Sequence, residues 1–375
     1  MTSQETQRES SVFTRVVEKI RENKILREQG YDITIPFPFP RFSNFVPGIQ
    51  KGTYYLVTAN QKAGKSQITD FMFMLSPVEF VLTHQTNIKV KILYFSLEMS
   101  KELKMKQAIV HRMYMKHNIR YTVRRLESLY STDILPDDML RLIEEDKPWF
   151  EKFESVVEFI DDIRNPFGIY KYLRSYFEQR GHYEYKKVWI TEDSGEKKQI
   201  DTIDRYIPDD KDLFTIIIID NVNLLRSEKK ATLYETIEKF SSEYMIRVRN
   251  LWGGIPVIVQ QQALTKESNE SIKMDRLEPS ADGLADYKAT SKDVDIMLTL
   301  YSPFRHKIRR YLNYDITRLK DSYRRLAVEF DRNGEPCETS LYFDGAVNYF
   351  KELPPAEQMT DEVYQKIEKR IVITK

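Results

Sequence analysis

The sequence predicts an α/β fold with a parallel central sheet, extended by an antiparallel C-terminal part. Three observations carry that prediction. Apolar, β-branched runs alternate with stretches of helical periodicity through most of the chain. The run Phe214-Thr215-Ile216-Ile217-Ile218-Ile219-Asp220 is apolar without alternation, as expected of a parallel strand covered on both faces. Past Asp293 strands follow one another with little helical pattern between them.

Taken in order, residues 1–11 are polar and carry no structural signal. Residues 13–28 read as a helix with Val16, Val17, Ile20 and Ile25 on a partial apolar face and Gly30 as its stop. Such a helix either packs on its own domain or reaches a neighbouring subunit, and the pattern leaves both open. The segment Ile35-Pro36-Phe37-Pro38-Phe39-Pro40 is expected to be extended, because each proline restricts the residue before it, and reads as a linker. A buried strand at 54–58, a helix at 65–75, a strand at 89–95 and a long helix at 100–116 follow. Residues 120–154 are helical and charged, 156–160 form a third strand, and Asn165, Pro166 and Gly181 supply the start and stop signals of another helix.

The alternation breaks over 183–212, where strands at 185–191 and 199–206 flank Asp193-Ser194-Gly195 as a β-hairpin insertion. After the 214–220 strand, Thr232 and Glu235 form a capping box. Leu233, Ile237, Phe240, Tyr244, Val248 and Leu251 are the buried stripe of the helix that it opens, and Gly253 ends it. Further strands are expected at 255–259, 296–301, 311–319, 326–330 and 340–343. The organisation is an N-terminal tail and helix over 1–34, a main domain over 35–352, and a helical tail over 353–375.

Composition narrows the function. The 375 residues are 31% charged and 41% hydrophobic, which is globular. With 58 Lys and Arg against 57 Asp and Glu, the net charge of +1 excludes a wholly basic nucleic-acid coat but not local basic patches. The single cysteine, Cys337, excludes a disulfide scaffold and a cysteine-based zinc site. No apolar core of a signal peptide opens the chain, and no run approaches the roughly 20 residues of a membrane span. A soluble, cytoplasmic protein without a membrane partner is expected. His111 and His117 lie six apart, so they do not share a helix face as metal ligands and are expected at the surface.

The sharpest chemical signal is Ala59-Asn60-Gln61-Lys62-Ala63-Gly64-Lys65-Ser66, with Gln67 behind it, between a predicted strand and a predicted helix. That context is what a phosphate-binding P-loop requires: loop N–H groups and the helix N-terminus cradle phosphates, Lys65 reaches the β- and γ-phosphates, and the Ser66 hydroxyl ligates Mg²⁺. Asp220 ends a strand at the same sheet edge and can support the metal. Glu98, in Ser96-Leu97-Glu98-Met99, also follows a strand, where a general base or water-orienting carboxylate belongs. Gln260, Gln261 and Gln262 close the next strand, where an uncharged amide could sense a γ-phosphate.

These pieces, in this order, resemble the RecA-like motor domain of DnaB-family replicative helicases. The string Phe95-Ser96-Leu97-Glu98-Met99 is the most specific of them, and Ala59 at the first P-loop position and Asp293-Val294-Asp295 at a strand entry fit the same family. The glutamine string and the hairpin are similar to versions encoded by large tailed phages. The resemblance implies a RecA-like P-loop NTPase that uses ATP and Mg²⁺, with Glu98 as catalytic carboxylate, Asp220 on the metal and Gln262 coupling the γ-phosphate to DNA loops. It further implies a homo-oligomeric, hexameric ring on single-stranded DNA, with a primase or helicase loader as a further partner.

The family's Lys-x-Arg pair, which reaches into the neighbouring subunit, is altered here: Lys320-Asp321-Ser322 has serine in the arginine place. Arg318 and Lys320 are the basic pair expected to replace it, on one face of an alternating strand. DNA contacts are expected from Arg226, Lys229 and Lys230 and from the 264–292 loop. Only about 40 residues precede the motor domain, too few for the family's primase-binding collar, so ring assembly would rest on the 13–28 helix. The alternatives are a RecA-like DNA-binding ATPase of recombination or repair that does not unwind, and a slow nucleotide-sensing module. Glu98 argues against the second.

Overall fold

A nine-stranded sheet organises the computed structural model, which describes residues 12–192, 195–227, 230–263 and 277–372. In chain order the strands are β1 (Tyr55–Ala59), β2 (Lys89–Ser96), β3 (Val157–Ile160), β4 (Gly181–Thr191), β5 (Lys197–Pro208), β6 (Leu213–Asp220), β7 (Ile255–Gln261), β8 (Ile296–Tyr301), β9 (Arg310–Tyr311), β10 (Tyr314–Asp315), β11 (Tyr323–Asp331), β12 (Cys337–Asp344) and β13 (Tyr349–Glu352). The sheet order is β13-β12-β11-β8-β1-β7-β6-β2-β3. From β8 to β3 all neighbours are parallel, and β11, β12 and β13 add on antiparallel, as the sequence predicts.

Strand β6 is covered on both faces, which its unbroken apolar run requires: Ile216 and Ile218 enter one core and Ile217 and Ile219 the other. The first core is closed by the helices Lys65–Asp70, Ser76–Thr83, Lys101–His117 and Lys147–Val156, through Ile68, Val78, Ala108 and Phe153 among others. The second is closed by Pro166–Glu178, Leu233–Lys239 and Ile246–Trp252. Because the parallel strands share one direction, the ends of β1, β2, β6 and β7 open onto a single edge, and the loops that follow them meet there.

Several local expectations are corrected. The 35–40 segment is extended but belongs to the core: Ile35, Phe37 and Phe39 are buried while the prolines between them point outward, a period of two that the proline spacing conceals. The capping box at Thr232 and Glu235 forms, but a π-helical turn at Phe240–Met245 adds a residue to the helix. Burial therefore moves from Tyr244 and Leu251 to Met245 and Trp252. Gly181 does not stop the preceding helix, which ends at Glu178; it begins β4, where a Cβ would lie 2.4 Å from the Ile207 carbonyl oxygen. The hairpin strands run longer than expected, and Asp193 and Ser194 of its turn lie outside the described residues. His111 is buried rather than at the surface, its Nδ1 2.9 Å from the Val347 carbonyl oxygen.

The 311–319 strand is replaced by the two-residue strands β9 and β10 and a helical turn at Ile316–Leu319. The N-terminal helix, Val12–Glu28, has no buried residue, and Phe13 is 77% exposed. Among the described residues no helix is long and apolar enough to cross a membrane.

The shifted register can be measured. Trp252 stacks on Phe177 at 5.1 Å and donates its indole N–H to the Tyr183 hydroxyl. Trp252→Ala is expected to destabilise the protein by about 3–5 kcal/mol in urea denaturation, and Leu251→Ala by under half of that. Equal losses would contradict the register.

Candidate active site

The P-loop leaves β1 at the buried Ala59 and is shaped by its own backbone. The Ala63 N–H donates to the Asn60 carbonyl at 3.2 Å, and Lys62 and Gly64 take positive φ values of 57° and 102°. Gly64 stands at the N-cap of the Lys65–Asp70 helix, where a Cβ would also lie 3.3 Å from the Phe343 ring. Asn60 is buried, its amide donating to the Leu277 carbonyl and lying 3.2 Å from the His306 ring nitrogen. Gln61 and Lys62 are exposed at the tip. Gln67, on the first helical turn, donates to the Gly345 carbonyl at 2.7 Å.

The Lys65 ammonium makes no hydrogen bond or ion pair among the described residues. Burial pushes its ammonium below the ordinary lysine value, opposed by the negative charges of Asp220 and Glu98. The Ser66 hydroxyl donates to Asp220 Oδ1 at 3.1 Å. Asp220 ends β6 in register with Ser96 of β2, and the Leu97 N–H donates to its carbonyl at 2.8 Å. Glu98 follows in the turn between β2 and the Lys101–His117 helix, exposed, and accepts at 3.0 Å from the amide of the buried Asn221. Ser66, Asp220 and Glu98 thus gather around an unpaired lysine at one sheet edge.

Behind this surface lies a wholly buried polar cluster absent from the sequence reading. Lys104 Nζ is 3.0 Å from both oxygens of Asp70 and 2.6 Å from the Tyr94 hydroxyl, and Tyr94 is within 3.0 Å of Asp220 Oδ2. Burial pushes the Asp70 carboxyl above its ordinary range, with Lys104 opposing, and holds the Tyr94 phenol well above its own. A second unanticipated residue is Arg324 of β11. Its Nε–H donates to the Ala63 carbonyl at 2.6 Å, its Nη1 to the carbonyls of Asp321 and Tyr323, and the guanidinium lies over the Phe343 ring. Burial pushes its pKa down to about 10, which still leaves it charged at neutral pH.

Other expected site residues are arranged differently. Gln262 is buried and its amide donates to the Thr58 hydroxyl and the Ser280 carbonyl, both at 3.0 Å. Gln260 likewise holds the Ala285 and Tyr287 carbonyls. Both therefore anchor the segment after 277, and strand alternation sends Gln261, not Gln262, to the P-loop face, beside Ala59. Arg318 and Lys320 do not share a strand face, because no strand forms there. Arg318 pairs with Glu368 and Asp361 of the Asp361–Val372 helix at 2.7 and 2.6 Å. Lys320, at φ 53°, is exposed beside Arg305, Lys307 and Arg309 around a cavity of about 600 Å³. Arg226 and Lys230 are exposed past the end of β6, while Lys229 and 264–276 lie outside the described residues.

The donor set fits a magnesium ion. Asp220 and Ser66 present adjacent hard oxygens, and among the described residues no cluster of three His, Cys, Asp or Glu side chains could hold a metal by itself. An ion there would complete its shell with phosphate and water. A cavity of about 920 Å³ lined by Phe37, Phe80, Trp149 and Phe350 contains none of the P-loop, Asp220 or Glu98 side chains.

No family model and no curated protein matches this sequence. Solved structures do resemble it. The ATPase domain of G40P matches with a TM-score of 0.66 at 14% identity, over 92% of this chain and 100% of that one. The structure of a DnaB-like replicative helicase and its interactions with primase matches with a TM-score of 0.63 at 14% identity, over 92% of this chain and 69% of that one. The fold is the RecA-like fold that these structures share. In it Arg324 props the P-loop from the antiparallel extension. Arg324→Leu leaves the Ala63 carbonyl unpaired and is expected to cost about 3 kcal/mol in urea denaturation. A loss below about 1 kcal/mol would show that the latch is dispensable.

Proposed function

We propose that this protein is an ATP-hydrolysing motor that translocates on single-stranded DNA and unwinds duplex, a DnaB-like replicative helicase. The observation that carries the reading is the convergence of Lys65, Ser66, Asp220 and Glu98 at one edge of a RecA-like sheet, with Glu98 inside the Phe95-Ser96-Leu97-Glu98-Met99 string. In this reading the P-loop from Ala59 to Gln67 binds the phosphates of ATP, and Lys65 contacts the β- and γ-phosphates. Ser66 and Asp220 hold Mg²⁺, which supplies charge neutralisation of the phosphates. Glu98, oriented by Asn221, receives the proton of the attacking water. Gln261 is the amide on the nucleotide face of β7.

The charge reaching into a neighbouring subunit's site is assigned to Lys320 with Arg309 and Lys307, since these carry no ion pair among the described residues whereas Arg318 is held by two carboxylates. Arg226, Lys229 and Lys230 contact the DNA backbone. A ring of subunits, hexameric by analogy, is supported by the Val12–Glu28 helix, which buries none of its apolar residues on its own chain. A primase partner rests on analogy with the DnaB-like helicase, and a loader on the family resemblance of the sequence.

With ATP and Mg²⁺ the protein is expected to separate a forked duplex bearing a free 5′ tail, and Lys65→Ala to reduce the rate by about 100-fold or more. Turnover stimulated by single-stranded DNA without unwinding would favour the RecA-like DNA-binding ATPase, and absence of turnover the sensing module. Deletion of residues 1–34 is expected to abolish rings in mass photometry; rings formed by the truncated protein would exclude docking of the helix on a neighbour.

A further inference from the structure

The cluster behind the P-loop is costly to bury. Lys104 is wholly inaccessible, Asp70 and Asp220 are 1% exposed, and Tyr94 is wholly inaccessible. Ionised groups withdrawn from water are expensive even when paired, and apolar side chains of similar volume often fill such a space with equal stability. Stability therefore does not account for the cluster. Its geometry points to Asp220.

The four groups come from four elements: Asp70 from the P-loop helix, Tyr94 from β2 and Lys104 from the helix after Glu98 meet Asp220 at the end of β6. Asp220 uses its oxygens differently. Oδ1 accepts from Ser66 at 3.1 Å and faces the P-loop. Oδ2 faces inward, 3.0 Å from the Tyr94 hydroxyl and 3.5 Å from Lys104 Nζ. The Tyr94 hydroxyl has one hydrogen for two acceptors, Asp220 Oδ2 and Asp70 Oδ1 at 2.7 Å. Lys104 covers both carboxylates, so Asp220 keeps an inward partner whichever way that hydrogen turns.

We propose that Lys104, with Tyr94 and Asp70, is a positioning unit that grips Asp220 by its inner oxygen and so presents the outer oxygen, beside Ser66, to the magnesium–nucleotide complex. This rests on the nucleotide-binding reading above. None of the three residues touches the nucleotide's place itself; each acts through Asp220.

The test separates metal from nucleotide. Fluorescent ADP binding is measured in EDTA, and Mg²⁺ is titrated to find the concentration that half-saturates the ADP-dependent rise in melting temperature. Tyr94→Phe removes one hydroxyl, and the paired variant Lys104→Met/Asp70→Asn removes the Lys104–Asp70 ion pair together, which spares the fold an unpaired carboxylate at position 70 and leaves Asp220 to the hydroxyls of Ser66 and Tyr94. Both are expected to keep ADP affinity in EDTA within about twofold of wild type while requiring about tenfold more Mg²⁺. A wild-type Mg²⁺ requirement in the folded variants overturns the proposal, as does an equal loss of ADP affinity with and without metal, which would mark the cluster as structural. Wild-type protein that binds no ADP under either condition overturns the nucleotide reading, and the proposal with it.

Discussion

Asp220 sits where the most apolar strand of the molecule ends, with its carboxylate sealed from water. A carboxylate in that position must find donors inside the protein, and the donors that it finds tie three elements to the end of β6. Ser66 brings the start of the P-loop helix to it, Tyr94 comes from the adjoining strand, and Lys104 reaches in from the helix that follows Glu98. Asp70, one turn along the P-loop helix, closes the circuit through Lys104. The position of the helix over the sheet, the direction in which Asp220 points, and the place of the turn carrying Glu98 are therefore parts of one electrostatic solution.

The antiparallel half supports the same loop from the other side. Arg324 of β11 donates to the Ala63 carbonyl, Phe343 of β12 lies against Gly64, and the Gly345 carbonyl receives Gln67. The P-loop is thus held between the parallel and the antiparallel strands, which meet at β8 and β11. The loop closes one bond of its own, from the Ala63 N–H to the Asn60 carbonyl, and these neighbours hold the rest of its shape. The C-terminal helix joins this support at one remove: Arg318 is locked to Glu368 and Asp361, which fastens the helix to the turn preceding β11.

Much of the sheet was legible in the sequence. Unbroken apolar runs such as 214–219 permit few placements, and the order of strand, loop and helix around Gly64-Lys65-Ser66 is a local pattern. Local patterns also reveal Asp220, the last residue of a strand, and Glu98, the first carboxylate after one. Legibility failed wherever one side chain could satisfy two elements. In sequence Lys104 is one of three lysines within six residues and reads as solvated; only the packing of its helix turns it inward toward two carboxylates. Gln261 and Gln262 are indistinguishable until the register of β7 against β1 assigns them to opposite faces. Arg318 looked like a free cation because its partners lie 43 and 50 residues further on.

The sequence by itself determined the fold class, the antiparallel character of the C-terminal strands and the strand–loop–helix around Gly64-Lys65-Ser66, because each follows from residues adjacent in the chain. Tertiary structure alone decided which cations are spent on internal carboxylates and which remain free. It also decided which glutamine faces the loop, and that a π turn moves burial from Tyr244 to Met245. Those outcomes depend on distances between segments far apart in sequence, where a buried charge is either matched or costly, and no local pattern encodes the match.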